Sequence, residues 1–120
     1  MQRLKLKGKM MIFFTSDLHF YHGNIMKYCP KFRAFNDVAE MNERLIELWN
    51  AVVGPEDTVY DLGDFAFCNK LKDLKSVARR LNGSHVLILG NHDTLISQNK
   101  EALLRELKDD GNPIFSDILH

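Results

Sequence analysis

Three short apolar runs, each closed by residues that bind metal ions, constrain this chain more than any other feature. Met11-Ile12-Phe13-Phe14 leads into Thr15-Ser16-Asp17-Leu18-His19, and Thr58-Val59-Tyr60 leads into Asp61-Leu62-Gly63-Asp64. His85-Val86-Leu87-Ile88-Leu89 leads into Gly90-Asn91-His92-Asp93. Short runs rich in β-branched and aromatic residues suit strands buried in a sheet, and the run at 11–15 suits one covered on both faces. The polar groups that follow each run then stand at strand ends.

Amphipathic helices are predicted between the runs. Residues 37–50 begin at Asp37, which can cap the helix with Glu40 three residues on, as in a capping box. Val38, Met41, Leu45, Leu48 and Trp49 fall on one face there, and Gly54-Pro55-Glu56-Asp57 forms the turn that ends it. A second helix is predicted over 69–81, with Leu71, Leu74, Ala78 and Leu81 inward and Gly83 as its stop. A third, over 97–108, would bury Leu103, Leu104 and Leu107 before Gly111-Asn112-Pro113. Residues 17–28 read as a loop with at most a short helix. Residues 115–120 look like the approach to a further strand, with His120 at a frayed chain end.

The order is therefore βαβαβα, an α/β layered fold whose mainly parallel strands are joined by right-handed crossovers. One domain spans 1–120, and its first nine residues form a basic extension that alternates basic and apolar residues, as an exposed edge strand or a disordered tail would.

Composition excludes several classes. Sixteen basic residues balance sixteen acidic ones, so net charge does not indicate nucleic acid as a partner. No apolar run approaches the roughly 20 residues of a membrane span. Cys29 and Cys68 fit no metal-finger or redox spacing, and two reduced thiols suit a cytoplasmic protein.

In an open parallel sheet the ligand crevice lies outside the carboxyl ends of the strands. Asp17, His19, Asp64, Asn91 and His92 all occupy such ends. Carboxylate, imidazole and amide groups suit Mn, Fe, Zn or Ni rather than a thiolate-bound metal. Other polar residues keep two readings. Asp61 is either a second-layer partner of the metal site or an exposed or helix-capping carboxylate. His85 is most simply a partly buried structural histidine, and Asp93 a cap for the following turn.

Asp17-Leu18-His19, Gly63-Asp64 and Gly90-Asn91-His92-Asp93 resemble the first three motifs (DxH, GD, GNHD) of calcineurin-like metallophosphoesterases, in that family's order. The flanking Phe14-Thr15-Ser16 and Val59-Tyr60-Asp61-Leu62 look like its small bacterial and phage branch. The resemblance implies the first half of a four-layer αββα sandwich and hydrolysis of phosphomonoesters or phosphodiesters by a metal-activated hydroxide. Two divalent ions, Mn2+ first among them, would be held with Asp17 and His19 on one, Asn91 on the other and Asp64 bridging. His92 would contact the substrate phosphate or protonate the leaving oxygen, and His22 would either line the substrate pocket or make a structural hydrogen bond.

The chain departs from the family pattern in lacking a Gly-His pair, and so the GHxH-type motif of the second half. The alternative is a weakly active or inactive half-domain that binds another polypeptide or is completed by self-association as a homodimer. With Asp64 and Asn91 alone, the second metal would be held weakly.

Overall fold

The computed structural model describes residues 2–5, 10–22 and 37–120. Expectations for the rest of the loop to Tyr28, for Cys29 and for Lys7 and Lys9 lie outside the described residues. Five strands form one sheet in chain order: β1 (Gln2–Lys5), β2 (Met11–Thr15), β3 (Thr58–Asp61), β4 (Ser84–Ile88) and β5 (Asp117–Leu119). β1 runs antiparallel to β2 at the edge, and β2 through β5 are all parallel. Residues 115–120, expected only to lead toward a further strand, themselves contain one, β5.

Sequential order combined with right-handed crossovers sends every connecting helix to the same side of the sheet. Burial agrees. Phe13, Val59, Leu87 and Ile118 point into one core with Ile46, Trp49, Leu74, Val77 and Leu103 of the helices. On the opposite face Phe14 and Tyr60 stack at 5.6 Å, and Phe14 keeps 38% of its surface exposed. Among the described residues β2 is therefore covered on one face, not both. Met11-Ile12-Phe13-Phe14 reads as uniformly apolar because its outward face is apolar as well.

Helix α1 (Val38–Val52) starts where the sequence places it, with the Asp37 carboxylate accepting the Glu40 N–H at 2.8 Å. Its inward face is Met41, Asn42, Ile46 and Trp49. Leu48, expected inside, is 48% exposed, since the helix is rotated so that Ile46 takes the core position. The turn after it is held by Asp57, whose Oδ2 accepts the Gly54 N–H and whose Oδ1 accepts the Met11 N–H.

Helix α2 (Leu71–Ala78) is shorter than the predicted 69–81, but Leu74, Val77, Ala78 and Leu81 are buried as a helical period requires. The single helix predicted over 97–108 is instead two, α3 (Thr94–Gln98) and α4 (Lys100–Arg105). Asn99 causes the break: its side-chain amide donates to Leu95 O at 2.8 Å and competes with the helical ladder. Leu107 then falls beyond α4 and is 54% exposed. Among the described residues no helix is long and apolar enough to cross a membrane.

Candidate metal centre

The carboxyl ends of β2, β3 and β4 lie side by side, and their loops continue to pair after the strands stop. Asp17 N–H donates to Gly63 O at 2.9 Å, His19 N–H to Asp64 O at 3.0 Å, and Phe20 N–H to Phe65 O at 2.9 Å. Leu18 and Phe20 are buried and anchor this segment, and Asp17 and His19 stand beside these anchors on the more exposed side. The turns are sharp. Asp17, His19 and Asp64 have φ of 55°, 55° and 53°, left-handed conformations that cost non-glycine residues of order 1 kcal/mol each. Asp and His are among the residues that tolerate this region best.

Two glycines let the loops touch. A Cβ on Gly63 would lie 2.8 Å from the backbone of Gly90, and one on Gly90 would lie 2.6 Å from Asp64 Oδ1. Asp93 fastens the contact. Its Oδ2 accepts the N–H groups of Asp64 and Gly90, both at 2.8 Å, and its Oδ1 accepts that of Phe65 at 2.9 Å. Asp93 stands at the N-cap position of α3, yet its side chain makes no capping hydrogen bond. It clamps the second loop to the third and is only 2% exposed.

The arrangement brings Asp17, His19 and Asp64 together, with one ligand atom from each within 4.8 Å of the others. Metal–ligand bonds of about 2.0–2.2 Å hold two ligands no more than roughly 4.4 Å apart, so side-chain rotations of a few tenths of an ångström close this group on a cation. The donor set also fits: two carboxylates and an imidazole suit a first-row divalent ion. Asp64 is oriented for the task, because its Oδ1 accepts the His92 N–H at 3.0 Å and lies 3.3 Å from His92 Nδ1. Burial raises the Asp64 pKa, but the His92 N–H and imidazole, with His19, outweigh it and hold the carboxyl below its usual range.

His19 presents Nε2 toward Asp17 Oδ1, at 3.7 Å, while its Nδ1 lies 2.9 Å from His22 Nδ1. Metal-binding histidines generally have their second nitrogen hydrogen-bonded, most often to a carboxylate, a carbonyl or water, and here the partner is an imidazole. Of the two readings of His22, the structure shows the hydrogen bond, made to a candidate ligand. Phe67 was not foreseen: its ring stacks on His22 at 4.0 Å and packs against His19 and His92 at 4.7 Å each. Asn91 is exposed on the third turn. With His92, Phe67, Asn69, Thr94 and Gln98 it lines an open cavity of about 480 Å³. Cys68 also reaches that cavity, but burial pushes its thiol pKa up to about 11, which disfavours a thiolate ligand.

Beneath the site Asp61 and His85 are 0% and 1% exposed, with His85 Nε2 3.0 Å from Asp61 Oδ2. This overturns an exposed or helix-capping Asp61 and a partly buried His85. Burial raises the Asp61 pKa, opposed in part by His85.

No protein-family model matches the chain. It is 49% identical over 83 residues to uncharacterized protein MJ1445 of Methanocaldococcus jannaschii, covering 68% of this chain and 46% of that one. It is 35% identical over 91 residues to the gene 66 protein of Mycobacterium phage L5, covering 74% and 42%. Among solved structures it is similar to a protein of unknown function from Aquifex aeolicus, AQ665, with a TM-score of 0.66 and 31% identity over 92% of this chain and 52% of that one. The chain thus spans about half the length of the relatives it matches.

Proposed function

We propose that this chain carries the metal-binding strand ends of a metal-dependent phosphoesterase of the calcineurin-like kind, acting on phosphomonoesters or phosphodiesters. The observation that carries the proposal is the convergence of Asp17, His19 and Asp64 at the carboxyl end of a parallel sheet. A pair of divalent ions such as Mn2+ would supply a nucleophile at neutral pH and neutralise charge on the phosphoryl oxygens. Asp17 and His19 would hold one ion, Asp64 both, and Asn91 the second.

His92 is suited to the leaving group. Its Nδ1 and main-chain N–H lie against Asp64, and its side chain is 55% exposed. In the imidazolium form Nε2–H is then the atom that can protonate a leaving oxygen. The cavity beside His92 has no lysine or arginine among the described residues that line it and can receive the organic part of an ester. A cytoplasmic location belongs to the same proposal, resting on cysteines without disulfide spacing.

Mn2+-stimulated hydrolysis of an aryl phosphodiester, abolished in Asp64→Asn, is the expected result. Activity that survives chelation, or survives that substitution, contradicts the proposal. A second reading, in which the chain acts only with a partner polypeptide or a second copy, is favoured by the apolar sheet face carrying Phe14 and Tyr60. Tight binding of two ions by the isolated monomer would count against it.

A further inference from the structure

We infer, on the premise of the cation site proposed above, that Asp61 and His85 are positioning residues that set the approach of Asp17 to Asp64 by holding Gly63. Neither side chain reaches the surface, and neither belongs to the candidate ligand set. Asp61 Oδ1 accepts the Gly63 N–H at 3.1 Å, and Asp61 Oδ2 faces His85 Nε2 at 3.0 Å. On its other side Gly63 accepts the Asp17 N–H at 2.9 Å. Gly63 is thus held at both peptide units, in a φ of 113°, and Asp64 is the next residue. Movement at Gly63 displaces one ligand through a hydrogen bond and the other through the chain.

His85 is fixed in turn. Trp49, Phe65 and Phe115 surround its ring at 5.0, 5.2 and 4.8 Å, so the imidazole cannot swing away from Asp61. The pair is a poor device for stability alone. Both groups are stripped of water, and His85 Nδ1 has no hydrogen-bond partner among the described residues. Buried charged or polar pairs can often be replaced by apolar residues without loss of stability. The geometry at Gly63 is what an apolar pair could not supply.

The test is Mn2+ titration by calorimetry of the full chain, with folding checked by circular dichroism. Three proteins are compared: wild type, Asp61→Asn, which keeps an oxygen for the Gly63 N–H, and the double variant Asp61→Leu with His85→Leu. The double variant is expected to remain folded and to bind Mn2+ about 10–100-fold more weakly, the usual range for losing a partner behind a ligand. Asp61→Asn is expected to stay within about threefold of wild type on the same scale. Should the double variant not fold, Asp61→Ala, which leaves no side-chain acceptor for the Gly63 N–H, is held to the same criterion. If wild type binds Mn2+ and the folded variant without the Gly63 contact binds it equally well, the positioning role is wrong while the cation site stands. Equal loss in Asp61→Asn likewise overturns the role of the Gly63 contact. If wild type binds no Mn2+, the cation site and this inference fall together.

Discussion

Asp93→Asn isolates the clamp between the second and third loops, because it keeps the shape of the side chain and creates no cavity. The amide oxygen can take the place of Oδ2 and still accept from Asp64 and Gly90, both now at 2.8 Å. The amide nitrogen then faces the Phe65 N–H, which Oδ1 accepts at 2.9 Å in the wild type. Phe65 is fully buried, so its N–H finds no water. An orphaned buried donor costs about 1–3 kcal/mol, and replacing a charged acceptor by a neutral one costs about 1 kcal/mol for each of the two remaining bonds. The sum is about 3–5 kcal/mol, a large part of the roughly 5–15 kcal/mol typical of a whole domain. Urea unfolding followed by the fluorescence of buried Trp49 measures it. With a slope of about 2 kcal/mol per M, the midpoint should fall by roughly 2 M. A loss below about 1 kcal/mol at unchanged slope would refute the idea that Asp93 joins the loops.

Three further perturbations test other links. Gly90→Ala puts a Cβ 2.6 Å from Asp64 Oδ1, so Mn2+ affinity in a calorimetric titration should drop at least tenfold while circular dichroism stays native. Ile46→Ala should cost about 2–5 kcal/mol in urea unfolding, and Leu48→Ala, on the exposed side of α1, within about 0.5 kcal/mol of zero. Asp64 has a folded pKa below its ordinary value of 3.8, so its contribution to stability is complete above about pH 5 and is lost as pH falls through the folded value. The stability difference between wild type and Asp64→Asn, measured without metal, should therefore shrink between pH 5 and pH 2.

Much of the fold was legible because its signals are local. Apolar runs marked β2, β3 and β4, the Asp37 cap marked the start of α1, and the topology of parallel strands brought Asp17, His19 and Asp64 to one edge. What escaped depends on contacts far along the chain. Asp93 sits next to α3 and reads as its cap, but two of its three partners lie 28 and 29 residues away. Asp61 and His85 find each other across 24 residues, and neither carries a pattern that distinguishes a buried pair from two solvent-facing polar residues. The phase of α1 was misjudged because Leu48 and Ile46 are equally apolar, and only packing against the sheet decides which faces inward. The break at Asn99 is a side-chain hydrogen bond that periodicity cannot register. Phe67 follows Gly63-Asp64 with no motif of its own, and its contact with three imidazoles depends on the fold bringing them to it.

Crystals grown with Mn2+ and measured at its absorption edge test the central claim most directly. An anomalous peak within bonding distance of Asp17, His19 and Asp64, absent from Asp64→Asn crystals, is the predicted result. Manganese bound only elsewhere, or none at all at concentrations that saturate a divalent site, would contradict it.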